Sequence, residues 1–213
     1  MRIVRALLLL ASGTCVIILV VGAVTQPSVG QRASGPHLAT ELRPVSTFGS
    51  IADTQARSVA LFEEAGKVLQ HPRCLNCHPV GDRPRQTDRM QPHQPLVVRG
   101  KDGHGAPGLP CATCHGGTNF DAAHVPGDPH WHLAPASMAW EGKTLAQICT
   151  QLKDPTRNGG RDVAAILKHV VTDSLVKWAW APGPGRAPAP GTNAEFGALL
   201  DAWAATGAHC PER

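Results

Sequence analysis

Cys74-Leu75-Asn76-Cys77-His78 and Cys111-Ala112-Thr113-Cys114-His115 are two copies of one pattern: two cysteines three positions apart, followed at once by a histidine. The spacing has a chemical reason. Two thiols at that separation reach the two vinyl groups on one edge of a porphyrin and form thioethers, and the adjoining imidazole then swings under the iron. Each run therefore reads as an attachment site for c-type haem. Other uses of the same residues leave something unexplained. A zinc ribbon would take the four thiols, but residues 79–110 hold the pairs further apart than ribbon spacing allows. Four-sulfur ligation would also leave His78 and His115 without a role. A thioredoxin-type pair needs a βαβ setting, whereas these flanks are rich in Pro and Gly. Structural disulfides leave the histidines idle as well. The expected cofactors are two covalently attached haem c groups, with Cys74, Cys77, Cys111 and Cys114 as attachment points and His78 and His115 as proximal iron ligands.

On these residues the chain resembles the dihaem c-type cytochromes. Around His93, across Pro129-His130-Trp131-His132 and across Trp140-Glu141-Gly142-Lys143, it is also similar to small cytochromes described as subunits of molybdenum-dependent, isoquinoline-oxidising enzymes. The first resemblance implies a mainly α, loop-rich fold, with a single cytochrome c-like dihaem domain after an N-terminal signal or anchor helix. The second implies a membrane or periplasmic oxidoreductase complex as a partner.

The sixth ligand of each iron sets its potential: a methionine sulfur raises it, an imidazole lowers it. Two local groups of candidates stand out. Met90 and His93 share the segment between the motifs, and His130, His132 and Met138 share the loop after the second. Loop-rich small domains of this kind resemble bis-histidine multihaem proteins, which favours His93 for one iron and His132 or His130 for the other. Met138 is the strongest challenger, and His104 and His124 follow. His71 is too near its own motif to reach the far side of that haem, and His37 lies in a linker. His169 stands opposite the apolar stripe of its helix and reads as solvated.

The formal charge is +4. Removing Arg2 and Arg5 with an export segment leaves +2, and each ferric haem carries about one negative charge once its propionates ionise, so the holoprotein approaches neutrality. No clustered basic face marks a nucleic-acid binder. Aromatics make up 4 % with no Tyr, a deficit that porphyrin surface can offset. Of seven cysteines, four belong to the motifs and Cys15 to the export segment, which leaves Cys149 and Cys210 as a pair. In an oxidising compartment they should form a disulfide, worth about 4 kcal/mol on the chain-entropy model.

Residues 1–24 are an export segment: Arg2 and Arg5 precede an apolar run from Ala6 to Val24. Its length suits either a signal cleaved after Ala23 or a retained membrane anchor through residues 6–24. Residues 25–50, rich in Ser, Pro and Gly, read as a flexible linker, and residues 51–213 as the haem domain. A helix is expected over 53–70, with Val59, Phe62, Ala65 and Leu69 on one face and His71-Pro72 as its stop. Residues 79–110 read as an irregular wrap whose glycines allow close approach to a porphyrin. Their spacing does not match a phosphate-binding loop. Three further helices are expected: 144–152, 161–177, and one opened by a Thr192/Glu195 capping box that buries Phe196, Leu199, Leu200 and Trp203.

The expected function is that of a periplasmic dihaem c-type cytochrome, soluble after signal cleavage or tethered to the inner membrane. It would relay electrons between redox partner proteins, from a donor oxidoreductase to a respiratory acceptor. The alternative is a dihaem peroxidase or sulfur-compound-oxidising enzyme with one open haem site, for which the chain is short.

Overall fold

The computed structural model describes residues 40–212, which belong to one compact unit. The expected signal or anchor at 1–24, Cys15, His37 and the linker as far as residue 39 lie outside the described residues. Among the described residues no helix is long and apolar enough to cross a membrane. The expected linker does not extend to residue 50. Val45–Phe48 forms a 3-10 turn, and Leu42 and Phe48 are buried in the core, because two large apolar side chains there have a helical surface to cover.

The fold is mainly helical and loop-rich. Helix α1, Thr54–Leu69, is capped by Asp53, whose carboxylate accepts from the Ala56 amide at 2.6 Å. Its buried face includes Leu61, Phe62, Ala65, Val68 and Leu69. It also carries Glu64, buried but ion-paired to Arg43 at 2.7 Å and Lys67 at 2.5 Å. Burial pushes the Glu64 carboxyl up, and these partners together outweigh it and hold the group below its usual range. Helix α2, Pro72–Leu75, starts at the expected stop: Pro72 occupies its first turn and His71 caps it, accepting from the Arg73 amide. Cys74 thus leaves α1 on a rigid corner.

Between the motifs lie two very short hairpins, β1 (Arg85–Gln86) with β2 (Gln91–Pro92) and β3 (Gly105–Ala106) with β4 (Leu109–Pro110). Gly100 and Gly105 adopt positive φ where an added Cβ would collide with neighbouring backbone, and at Gly103 it would meet the Leu133 carbonyl at 2.5 Å. These glycines serve the packing of one loop on another, rather than only the approach to a ligand as the sequence suggested.

Helix α3, Leu145–Leu152, opens with a Thr144/Gln147 capping box. The expected helix over 161–177 is two helices: α4, Val163–Thr172, and α5, Ser174–Trp178. Asp173 is extended, ends α4 and caps α5 by accepting from the Val176 amide at 3.0 Å. The competition of an Asx side chain with the backbone breaks the helix there. Helix α6, Asn193–Ala205, has the expected capping box and buried residues. It is the centre of the molecule. Trp203 packs on Phe62 of α1 with ring centres 4.9 Å apart, and Gly197 lies where a Cβ would stand 2.5 Å from Val171 of α4. Cys149 on α3 is joined to Cys210, which ties the chain's end to the core as expected.

Candidate cofactor site

The first motif opens into a cleft between α2 and α4. Cys74, Cys77, His78, Met138 and Trp140 line one part of it, and Ile166, His169 and Val170 of α4 another, with His132 also contributing. The space inside it, counting its open mouth, is about 1080 Å³. Burial pushes the Cys74 thiol up to about 12, helped by Cys77 and opposed by Arg73, and the Cys77 thiol up to about 11. A reactive dithiol would be shifted the other way. The four motif cysteines are unbonded. Among the described residues no three or more His, Cys, Asp or Glu side chains converge as a metal cage.

Both motif histidines are held alike. His78 donates from Nδ1 to the Met138 carbonyl at 2.6 Å, and His115 donates from Nδ1 to the Pro126 carbonyl at 2.7 Å. Burial lowers His78 to about 4 and lowers His115 as well. Near neutral pH each imidazole is therefore neutral, with its proton on Nδ1 and the lone pair on Nε2 free, the form that binds a metal. An indole covers one face of each ring. Trp140 stacks on His78 at 3.5 Å and 9°, and Trp131 on His115 at 4.6 Å and 11°.

The sequence-nominated sixth ligands separate clearly. His93 comes to 6.0 Å from His115, centre to centre, with ring planes at 65°. Metal–imidazole bonds of about 2.0–2.1 Å, plus about 1.2 Å from nitrogen to ring centre on each side, would place two such rings about 6.5 Å apart across a shared metal. His93 Nδ1 lies 3.1 Å from the Pro95 carbonyl, which leaves Nε2 available. His132 lines the cleft with Nδ1 on the His130 carbonyl. His130 itself is exposed and not part of the cleft lining. Met138 lines the cleft, and its carbonyl accepts from His78 Nδ1. Met90 sits in the turn of the first hairpin, outside the cleft lining. His104 is exposed and tilts against His132, 4.9 Å away, and His124 is exposed in a left-handed turn.

His169 is a correction. It is not turned away into solvent but lines the cleft, only 34 % exposed, with Asp173 beside Nδ1 at 3.5 Å. Burial lowers its pKa while Asp173 pulls it up. Ile166 and Val170 of the apolar stripe line the same cleft, so His169 lies beside them on the cleft side of α4.

The residues fit a tetrapyrrole with ionised edges. The Arg73 side chain is 2 % exposed, pairs with Asp88, and lines the cleft beside Cys74 and Cys77 with an Nε that has no hydrogen-bond partner. An unused buried guanidinium donor suits a carboxylate. At the second motif, flanking Leu109 and Phe120 stay 38 % and 62 % exposed, an apolar surface suited to covering a ring face. Arg99 braces the frame, donating to the carbonyls of Pro79, Gly81 and Ala134. No family model, curated protein or solved structure matches the chain.

Proposed function

We propose that the chain is an exported dihaem c-type cytochrome that passes single electrons between redox partners. Cys74 with Cys77, and Cys111 with Cys114, would hold the two groups by thioether bonds. His78 and His115 would bind the irons through Nε2, and Arg73 would hold a propionate at the first site. When bound, the haems supply reversible one-electron exchange between Fe(II) and Fe(III). The chain's own residues keep each proximal imidazole neutral and correctly tautomeric, exclude water behind it and limit the sixth position to nitrogen. His93 is assigned to the second iron. His132 and His169 share the first cleft, and His132 is assigned because its Nδ1 is tied to a backbone carbonyl in the manner of His78, His93 and His115. Imidazole on both sides favours low potentials and closes both irons to substrates, which fits relay rather than peroxidase or sulfur-oxidising chemistry. A periplasmic or membrane oxidoreductase is the proposed donor, and a cleaved signal or an anchor at residues 6–24 the proposed means of export.

The observation that carries this reading is the 6.0 Å approach of His93 to His115, each with Nδ1 on a carbonyl. The test is expression in a haem-attaching host. Mass spectrometry should find two haems per chain, and paramagnetic resonance of the oxidised protein two low-spin irons with no thioether-to-iron absorption band. His93→Ala should turn one signal high-spin and open it to cyanide. Bare polypeptide, or a native high-spin iron that binds cyanide, would overturn the proposal.

A further inference from the structure

Neither indole beside the proximal histidines is a ligand, and nothing in the attachment chemistry calls for one. Yet the two sites, built from different loops, repeat the same two-part grip. At the first, Met138 supplies the carbonyl to His78 Nδ1 and Trp140, two residues on, supplies the ring at 3.5 Å and 9°. The Trp140 amide donates at 2.9 Å to the His78 carbonyl, so the indole is anchored to the residue it covers. At the second, Pro126 supplies the carbonyl and Trp131 the ring. Trp131 is clamped from behind by Trp178, edge-on at 4.9 Å and 88°, and Trp178 Nε1 donates at 2.8 Å to Asn119, four residues past His115. A near-parallel stack recurring at both sites, each held by its own hydrogen bonds, is more than core filling.

We propose that Trp140 and Trp131 are positioning residues that fix the plane of each iron-binding imidazole and lower the potential of the iron it holds. The inference rests on the haem reading above. Two physical effects act together. A flat ring against one face, with Nδ1 tied in the plane, stops the imidazole rotating about its bond to iron, so the ligand plane is set by the protein. The indole face also carries negative potential. An imidazole on ferric iron is more positive than one on ferrous iron, so the stack stabilises the oxidised state, as a ring face stabilises a cation. The effect is local: Trp140 acts on the haem at Cys74–His78 and Trp131 on the haem at Cys111–His115.

The experiment uses the holoprotein. Trp140→Leu keeps an apolar side chain and removes the π face, and Trp140→Phe restores a face. Each is measured by haem content, spectroelectrochemical titration and paramagnetic resonance. Signals are assigned with a single-haem variant, Cys111→Ala with Cys114→Ala. Trp140→Leu with two haems per chain should raise the midpoint of the first haem alone, shift its g values, and lower its oxidised-to-reduced ratio at fixed poise about two- to fivefold. Trp140→Phe should recover most of the shift. Where Trp140→Leu fails to accumulate, Trp131→Leu, at the half-buried ring, carries the same test on the second haem. Fully loaded Leu variants with unaltered midpoints and g values, equal shifts at both haems, or Phe behaving like Leu would each overturn the inference. A wild-type chain without covalent haem would instead overturn the parent reading, a result seen before any variant is made.

Discussion

His71 is buried yet neutral, and its role is local: it caps α2 through Nδ1, one turn before the first motif cysteine. Burial, assisted by the Arg73 charge, lowers it to about 4 from 6.5. The unfolded chain therefore binds a proton below pH 6.5 that the folded chain refuses until about pH 4. Stability should fall as pH drops through that window and level off below it. His71→Asn keeps an N-cap oxygen and has nothing to titrate. Denaturant titrations from pH 7 to 4 should show a shallower loss for the variant than for the wild type. Parallel slopes would mean that His71 is not held neutral. Residues of this kind were legible only in part. The Cys-x-x-Cys-His spacing suggests the proposed chemistry without a fold, because five adjacent residues would contain the whole attachment unit. Arg73, Trp131 and Trp140 carry no such spacing, and their signal lies in what they touch. A hint was that four of five tryptophans, Trp131, Trp140, Trp178 and Trp180, lie between residue 116 and just past α5.

At the scale of elements, some helix ends are legible because caps are local chemistry. The Thr192/Glu195 capping box stands where the sequence put it, and the helix expected from residue 53 begins at Thr54. The break at Asp173 was missed because an apolar period continues across it, and the period records burial rather than hydrogen bonding. Helix contacts depend on absent side chains as much as on present ones. α1 accepts Leu145 at Gly66, where a Cβ would meet the Leu145 side chain at 2.7 Å, and α6 accepts Val171 at Gly197. Gly197→Ala should cost about 1–3 kcal/mol by overpacking, against a helix-propensity gain of up to about 1 kcal/mol. The double variant Gly197→Ala with Val171→Ala should recover part of the loss. Thermal unfolding of the two proteins decides it, and a Gly197→Ala protein as stable as wild type would show that α4 does not seat there.

Across the whole molecule, the helices and the segment from 79 to 140 are stabilised differently. α1, α3 and α6 share a continuous apolar core closed by the Cys149–Cys210 bond. The segment from 79 to 140 relies on two-residue strands, carbonyls gathered by Arg99 and rings stacked on His78 and His115, while Leu96, Val98 and Phe120 remain exposed. Few buried apolar contacts mean low local stability. Replacing Cys74, Cys77, Cys111 and Cys114 by Ala should leave α1 and α6 protected in hydrogen exchange, and the amides of 79–135 exchanging much faster than in holoprotein. Equal protection there would show that this segment holds its shape without a covalent partner.

The sequence by itself determined the two Cys-x-x-Cys-His runs on which the haem proposal rests, the Thr192/Glu195 capping box and the two cysteines left over to pair, because each is written in residues a few positions apart or by simple elimination. Only the tertiary structure decided which distant side chains meet the two motif histidines. It brought His93 back to His115, turned His130 outward, and carried the flank of α4 with His169 over a cleft that its own periodicity could not reveal. A helical stripe reports which face meets the core. It does not report what another loop, tens of residues away, brings against the same helix.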